Sequence, residues 1–499
     1  MSLLLCGSIT LHAQTKKPNI ILFLVDDMGW QDCSVPFYKA PTKWNAIYKT
    51  PNMERLAAAG VKFTNAYANQ NCTPSRISIM TGMNPVNHGV NSWTFEKNIS
   101  PEENPDMNLK TPQWNINGFC PFDGYENTIY ATALPSVLKK AGYTTIHSGK
   151  AHFGAYGTPG ADPLNLGFDI NIGGSAAGQP ASYLGIDSFG NRKNNPAKRA
   201  VPGLQEFWGK DIFLSEALTQ KTLTVLDSVR KNKQPFFLYL AQFAVHTPLQ
   251  KDKRFIQKYY DAGLDSTEAK YAAMLEGMDK SLGDVMDYLD KNKLSENTVI
   301  IFLSDNGGLT DVARGGQPNK HNSPLRSGKT SGYDGGLKVP MIVYFPHLTK
   351  AGTICSNNVI VEDMFTTIRQ IAGAQNIPVV QKTDGLNLLP LFKGENKYAG
   401  RILTWHHPHL MSGRSSDIYP FSAIRINDWK LIYSHTTQKF ELYNTAADIG
   451  EAHDLFNTNK ARAKKMAQQL GAILKKGKAG MPIVKDTGKP VPYPDEIQF

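Results

Sequence analysis

The sequence predicts an α/β protein built on a doubly wound sheet, followed by a smaller antiparallel unit. Three observations support this fold class: apolar runs of strand length, amphipathic stretches between them, and a switch to closely spaced short runs after Gly394. The chain has 499 residues, of which 41% are hydrophobic, enough for a large core. This composition excludes an intrinsically disordered protein and a small disulfide-stapled scaffold.

Five apolar runs indicate strands covered on both faces of a sheet, because they have strand length and no polar face. They span residues 19–25, 144–147, 236–243, 299–303 and 339–345. Residues 268–289 carry apolar side chains at three- and four-residue spacing, which predicts a helix. A short loop at 291–297 joins this helix to the next apolar run and completes an αβ unit.

The region after Gly394 has a different pattern. Short strands are predicted at residues 401–405, 422–426, 429–434 and 440–443, and an amphipathic helix at about 460–474. We therefore expect a main domain over residues 17–394 and a C-terminal subdomain, an antiparallel sheet with one helix, over residues 395–499.

The N-terminal segment indicates export. Residues 1–14 form a short apolar stretch ending in small or polar residues, like the tail of a secretory signal peptide cut near Ala13. A periplasmic or secreted location is expected, with lipoprotein cleavage at Cys6 as the less favoured alternative. No other stretch approaches 18 consecutive apolar residues, so we expect no membrane span.

The charge balance is basic. Lys and Arg number 54 against 43 for Asp and Glu, a formal net charge of +11. This excess favours a polyanionic partner, either a nucleic acid or an acidic glycan. The sequence contains no Lys/Arg-rich run and no zinc-finger spacing, which disfavours nucleic acid. The five cysteines form no CxxC pair, so a thiolate zinc site is not indicated.

Polar residues collect just after the predicted strands, at the edge where open α/β sheets bind ligands. They are Asp26, Asp27, Lys150, His152, His246, Asp305 and Asn306. A single Asp at such a point is usually a turn residue, but several together are not explained by turns. The carboxylates and the Asn amide are hard oxygen donors that suit Ca²⁺ or Mg²⁺.

Residues 72–82 predict a short helix whose first turn carries candidate functional residues. Thr73 is the predicted N-cap, Pro74 the first helical residue and Gly82 the stop. Cys72 would then lie at a helix N-terminus, where anions bind, with Arg76 one turn along. The alternative is that Cys72 is a small buried hydrophobe. A phosphatase-type thiolate would need a wider spacing between the cysteine and the arginine.

These residues resemble a known signature. Cys72-Thr-Pro-Ser-Arg76, followed by Met80-Thr-Gly82, is similar to that of the formylglycine-dependent (type I) sulfatases of the alkaline-phosphatase-like superfamily. The resemblance covers about residues 18–450. Further segments match in the family's order: Val25-Asp-Asp-Met-Gly-Trp30, Gly149-Lys-Ala-His152, His246-Thr-Pro248, Ser304-Asp-Asn-Gly307, and Pro324-Leu-Arg-Ser-Gly-Lys329 leading to Gly335-Gly-Leu-Lys-Val-Pro340. One departure is Ala151, where the family usually has Trp.

The resemblance implies a large mixed, mostly parallel sheet flanked by helices, with residues 17–394 as the catalytic domain. It implies that a maturation enzyme, a transient partner, oxidises Cys72 to formylglycine, whose hydrate is the nucleophile. It also implies a Ca²⁺ ion held by Asp26, Asp27, Asp305, Asn306 and the matured residue 72.

The resemblance further implies roles for the remaining site residues. Arg76 would hold the gem-diol, and Lys150 and Lys329 would bind sulfate oxygens. His246, alone or with Lys329, would protonate the departing alcohol oxygen, and His152 would help to deprotonate the second hydroxyl.

The expected substrate is a sulfated carbohydrate of host or algal origin, of galactose or hexosamine type, attacked by an exo-acting enzyme. His321, His406, His407 and Arg414 are candidate substrate-binding residues, and several aromatic residues are candidates for stacking on sugar rings: Trp93, Phe95, Trp114, Phe119 and Tyr125. Two alternatives stay open: a formylglycine-dependent phosphonate or phosphodiester hydrolase, and a catalytically silent glycan-binding homologue.

Overall fold

The computed structural model describes residues 16–101, 107–310, 314, 321–410 and 417–499. The predicted signal peptide, Cys6 and Arg414 lie outside this part of the chain. Its strands are β1 (Asn19–Val25), β2 (Val61–Tyr67), β3 (Leu109–Lys110), β4 (Gly118–Cys120), β5 (Thr128–Tyr130), β6 (Thr144–Gly149), β7 (Ile170–Ile172), β8 (Phe236–Ala241), β9 (Thr298–Ser304), β10 (Lys338–Tyr344), β11 (Thr353–Cys355), β12 (Val359–Ile360), β13 (Ile402–His407), β14 (Phe421–Ile426), β15 (Trp429–Ser434), β16 (Phe440–Asn444) and β17 (Ile483–Val484). Its α-helices are α1 (Lys43–Ile47), α2 (Pro51–Ala59), α3 (Cys72–Thr81), α4 (Pro85–His88), α5 (Leu134–Lys140), α6 (Leu214–Val229), α7 (Ile256–Asp261), α8 (Ser266–Lys291), α9 (Asp334–Leu337), α10 (Asp363–Ile371), α11 (Leu389–Phe392) and α12 (Lys460–Lys476).

The large sheet has the strand order β11-β2-β10-β9-β1-β8-β6-β7, with β12 also paired to β2. Every pair in it is parallel except those of β10, which runs antiparallel to both β2 and β9. The expected mixed, mostly parallel sheet is confirmed. β10 starts at the carboxyl end of β9, since Met341 pairs with Leu303 and Tyr344 pairs with Ile300.

The sheet is covered on both faces, because alternate residues of its strands enter two separate cores. In β1, Ile20, Leu22 and Leu24 pack into one core, and Ile21, Phe23 and Val25 pack into the other. Helices α3, α5 and α10 cover the first face, and α2, α6 and α8 cover the second. The long helix α8 begins where Asp265 caps it by accepting hydrogen bonds from two backbone N–H groups, of Thr267 and Glu268.

The smaller sheet is an antiparallel meander, β13-β14-β15-β16, with α12 packed on one face. Its other face joins the core of the large sheet through Leu403, Trp405 and Ile432. Trp405 also donates a hydrogen bond of 2.9 Å from Nε1 to the carbonyl of Ala68. Packing is therefore continuous across residue 394, and the division into two domains stays a prediction.

Two further features bear on the expectations from the sequence. Cys33, Cys72, Cys120 and Cys355 are all buried and none forms a disulfide. Within the described ranges, no helix has both the length and the apolar character needed to cross a lipid bilayer.

Candidate active site

The polar residues that follow β1 and β9 come together because these two strands are parallel neighbours. Val25 and Ser304 are register partners, so the pairs Asp26-Asp27 and Asp305-Asn306 leave the sheet side by side. Ligand atoms of Asp26, Asp27, Asp305 and Cys72 all lie within 4.8 Å of one another. Residues from the start and the middle of the chain thus form one buried cluster.

Cys72 enters this cluster as the first residue of α3. Asn71, in extended conformation, precedes the helix, so the prediction that Thr73 is the N-cap is wrong by two residues. The Thr73 hydroxyl instead accepts a hydrogen bond of 3.2 Å from the backbone N–H of Thr94. Gly82 ends the helix in the left-handed region at φ 71°, as predicted.

Three basic side chains neutralise the three carboxylates. Lys150 Nζ lies 2.6 Å from Asp26 Oδ2, and Lys329 Nζ lies 2.6 Å from Asp27 Oδ1. On α3, Arg76 pairs with Asp305 at 2.8 Å and donates a hydrogen bond of 2.6 Å to the carbonyl of Lys150.

Cys72 contacts one acidic and one basic side chain. Its Sγ lies 3.5 Å from Asp26 Oδ1 and accepts a hydrogen bond of 3.3 Å from Lys329 Nζ. Burial raises the pKa of the Cys72 thiol to about 12, although Lys150 and Lys329 oppose the shift. Near neutral pH the group is therefore a neutral thiol, which is a weak nucleophile.

The acidic groups respond differently to the same burial. Burial raises the pKa of Asp26 to about 8, with Lys150 opposing the shift and Asp305 adding to it. At Asp27 burial also favours the neutral form, but the Lys329 ammonium and His246 outweigh it, so the pKa of Asp27 lies well below its usual range. A further cation beside Asp26 would oppose this effect of burial and favour the ionised carboxylate.

Two buried oxygens in the cluster indicate where such a cation would bind. Asp27 Oδ2 and Asn306 Oδ1 have no hydrogen-bond partner among the described residues. Asn306 donates from Nδ2 to Asp27 Oδ1 at 2.7 Å, which fixes the amide group. Buried polar atoms left unpaired cost about 1–3 kcal/mol each. Oxygen donors from carboxylates and an amide fit Ca²⁺ or Mg²⁺.

Two histidines complete the site. His246 Nδ1 donates to the carbonyl of Thr247 at 2.9 Å, and its Nε2 lies 3.4 Å from Asp27 Oδ2. Burial lowers the pKa of His246 to about 3, despite the opposing effect of Asp27. His152 Nε2 donates to the carbonyl of Thr94 at 2.8 Å, and burial places its pKa well below the usual value.

Cys72, Lys329, His152 and His246 line one cavity of about 160 Å³. Trp93 and Phe95 line it as well, with their ring centroids 6.5 Å apart. These are two of the five aromatic residues expected to stack on sugars. The cavity thus combines charged side chains with aromatic walls.

The other three aromatic residues do not line this cavity. Trp114 packs edge-on against His409 with centroids 4.7 Å apart, and Phe119 is fully buried in the core. The Tyr125 hydroxyl donates a hydrogen bond to the carbonyl of Gly157. Gln179 and Arg199 line the cavity but are not predicted by the sequence. No motif marks Gln179 and Arg199 within the Gly- and Pro-rich loop that carries them.

The histidines expected to bind substrate have protein partners and do not line the cavity. His321 pairs with Glu268 at 3.1 Å. His406 contacts the Ser422 hydroxyl at 2.9 Å and the Gly480 carbonyl at 3.0 Å. His407 donates from Nδ1 to the carbonyl of Asn91 at 3.0 Å.

Comparison with known protein families agrees with this geometry. The family described as Sulfatase matches residues 18–374, and the family described as N-sulphoglucosamine sulphohydrolase, C-terminal, matches residues 328–479. A sulfatase of Formosa agariphila is 30% identical over 99% of this chain and 95% of its own length. The N-acetylgalactosamine-6-sulfatase of Homo sapiens is 32% identical over 75% of this chain and 66% of its own length.

Solved structures share the fold. The crystal structure of Ps i-CgsB in complex with k-i-k-neocarrahexaose superimposes with a TM-score of 0.69 and 28% identity, covering 92% of this chain and 93% of the other. The chain belongs to the sulfatase family, as a type I sulfatase of the alkaline-phosphatase-like superfamily, and is a sulfuric ester hydrolase.

Proposed function

We propose that the protein is an exo-acting carbohydrate sulfatase that hydrolyses sulfate monoesters on a galactose- or hexosamine-type sugar. The observation that carries this proposal is one buried cluster of Cys72, three carboxylates and two lysines, which reaches a small cavity with aromatic walls through Cys72, Asp27 and Lys329. The similarity to an N-acetylgalactosamine-6-sulfatase and to a protein crystallised with a carrageenan-type oligosaccharide supports a glycan substrate.

Asp26, Asp27, Asp305 and Asn306 would hold a Ca²⁺ ion, because they offer hard oxygen donors and two of their buried oxygens lack partners. Bound there, the ion would neutralise negative charge on the sulfate oxygens.

Cys72 would be oxidised by a maturation enzyme to formylglycine. The neutral buried thiol is poorly suited to attack sulfur itself. The hydrated aldehyde would supply a hydroxyl nucleophile and a second hydroxyl that allows the sulfate to be released. Arg76, on the next turn of α3, is held by Asp305 in position to orient residue 72.

The remaining residues would bind the sulfate and move protons. Lys150 and Lys329 would contact sulfate oxygens and stabilise the charge that builds there. His246 is oriented by its hydrogen bond to Thr247 and is neutral in the free protein, so it would take up a proton at Nε2 before protonating the departing oxygen, alone or with Lys329, whose ammonium pairs with Asp27. His152 would help to deprotonate the second hydroxyl. Export to the periplasm or beyond fits a polymeric substrate, and residues 1–14 would direct it.

The test is to express the full chain with and without a formylglycine-generating enzyme. Maturation should lower the intact mass by about 18 Da and create hydrolysis of an aryl sulfate. Cys72→Ala should show neither change. An unchanged mass with full activity would overturn the formylglycine proposal, and faster hydrolysis of an aryl phosphodiester would favour the alternative hydrolase.

Calcium is tested separately by thermal unfolding. A ligand that binds only the folded state raises the unfolding midpoint, and the increase grows with the logarithm of the ligand concentration. We expect added Ca²⁺ to raise the melting temperature of the chelator-treated protein, and Asp305→Asn to remove the response. A response that persists in this variant would place the ion elsewhere.

A further inference from the structure

The active-site cavity continues into a second one. This neighbour has a volume of about 570 Å³ and shares four lining residues with the first: Phe95, Gln179, Arg199 and Thr247. A substrate whose sulfate lies near Cys72 therefore extends past these four residues. They determine which groups can be attached close to the reacting ester.

Arg199 is the only one of the four with a formal charge, and it is held in a defined place. Its guanidinium carbon lies 4.8 Å from the centre of the Phe95 ring. Its backbone carbonyl accepts a hydrogen bond of 2.8 Å from the N–H of Ala181. The ring of Phe95 is in turn braced edge-on by Tyr156, with centroids 5.5 Å apart. Stacking leaves the edge of a guanidinium free to donate hydrogen bonds.

Arg199 also has no anionic partner in the described part of the chain. Its neighbour Lys198 forms an ion pair with Glu96, whereas no carboxylate of the described residues forms an ion pair with the Arg199 guanidinium. The basic groups nearer the reacting ester also have anionic partners, since Lys150 and Lys329 each contact an aspartate of the cluster. A half-buried guanidinium facing a cavity without a carboxylate is suited to bind an anionic ligand.

We propose that Arg199 is a specificity-determining residue that binds a second anionic group of the glycan, next to the sulfate that is hydrolysed. This rests on the proposed function. The group is either a second sulfate ester or a uronic acid carboxylate, both of which accept two parallel hydrogen bonds from a guanidinium. The enzyme would accordingly prefer substrates that carry two negative groups.

The experiment uses the matured full-length protein and competition against aryl sulfate hydrolysis. The competitors are N-acetylgalactosamine 6-sulfate, its 4,6-disulfate, and a disaccharide of the 6-sulfate with glucuronic acid. The wild type should bind one of the doubly anionic sugars at least tenfold more tightly than the singly anionic one. Arg199→Ala should remove this ratio and Arg199→Lys should restore it in part, because lysine keeps the charge but loses the planar fork.

Arg192→Ala is the matched control, since Arg192 is an exposed arginine of the same loop outside these two cavities. It should retain the wild-type ratio. Comparing inhibition by the 4,6-disulfate with inhibition by the glucuronic acid disaccharide shows whether Arg199 binds a second sulfate or a carboxylate. Equal inhibition by all three sugars would overturn the inference, and so would an unchanged ratio of doubly to singly anionic affinity in Arg199→Ala. In either case, aryl sulfatase activity of the matured protein would still support the proposed function. Loss of aryl sulfate hydrolysis in the matured wild type would instead count against the proposed function.

Discussion

Lys150 shows how tightly charge is balanced in the site at the scale of single residues. Its ammonium and the Asp26 carboxylate are both fully buried and 2.6 Å apart. Removing one partner of a buried pair leaves an uncompensated charge, which is far more costly than losing an exposed pair. The same ammonium is proposed to stabilise charge on the sulfate.

We expect Lys150→Met to lower kcat for aryl sulfate by about 10²–10³-fold, the usual effect of losing one charge-stabilising donor. Steady-state kinetics of the matured protein, with circular dichroism to verify folding, would measure this. Lys140→Met is the control, because Lys140 is exposed on α5 and should leave kcat unaltered. A folded Lys150→Met protein with kcat within threefold of wild type would contradict the proposed role.

Much of this cluster could be predicted at the residue scale, because Asp26 and Asp305 directly follow apolar strands and such strand ends meet. Arg199 could not, since its role comes from its contact with the Phe95 ring, and Phe95 lies about a hundred residues earlier in the chain. The cluster of neighbouring histidines suggested that His406 binds substrate, but its imidazole is buried and contacts Ser422 and Gly480. A single sequence does not show such contacts.

At the scale of elements, the end of β6 places Lys150. Gly149 has φ 94°, and a Cβ there would overlap the carbonyl oxygen of Ala241 in β8. That same carbonyl accepts a hydrogen bond of 2.8 Å from the Lys150 N–H. The absence of a side chain at Gly149 thus lets β6 and β8 approach closely enough to deliver Lys150 to the cluster.

We expect Gly149→Ala to destabilise the protein by about 3 kcal/mol or more, because strain at positive φ adds to a clash with backbone. Gly142→Ala is a matched control, since Gly142 has φ 88° but no atom within 4 Å of the added Cβ. Its cost should be about 1 kcal/mol. Urea unfolding of both variants measures the difference in the free energy of unfolding. Equal losses in the two variants would contradict the prediction, because the clash at Gly149 would then add no cost.

Periodicity located five strands of the large sheet, the four strands of the smaller sheet and helices α8 and α12, but not the directions of the strands. The apolar run at 339–345 corresponds to β10, yet nothing in its composition distinguishes a parallel from an antiparallel strand. Its direction is seen only in its antiparallel pairing with β2 and β9, which is a tertiary property. The start of α3 was misplaced for a similar reason, because the Thr73 hydroxyl is engaged by Thr94.

At the scale of the whole molecule, Glu362 joins the two sheets. It is buried beside α10, and its Oε1 accepts a hydrogen bond of 2.9 Å from Asn84, which also donates to the carbonyl of Thr404 in β13. Burial raises the pKa of Glu362 to about 8, with the hydrogen bond from Asn84 opposing the shift. The folded protein therefore keeps a proton here that the unfolded chain, with its ordinary pKa, releases.

The free energy of unfolding should fall as the pH rises from about 5 to about 9. Over most of this range the folded state binds the Glu362 proton and the unfolded chain does not, so a higher pH favours the unfolded chain. Glu362→Gln removes the effect, so its unfolding free energy relative to wild type should increase by at least ~1 kcal/mol over that range. Chemical denaturation at several pH values tests this, with the exposed Glu395→Gln as control. A pH-independent difference between Glu362→Gln and wild type would contradict the prediction.

The pairing of β2 has a consequence for how the protein is made. All strands that pair with β2, namely β10, β11 and β12, come late in the chain. A polypeptide emerging from the ribosome cannot yet hold β2 in the sheet, nor seat α3 and its first residue, Cys72, beneath it. We therefore expect Cys72 to be open to enzymes during translation and to become inaccessible once β10 has been synthesised and inserted.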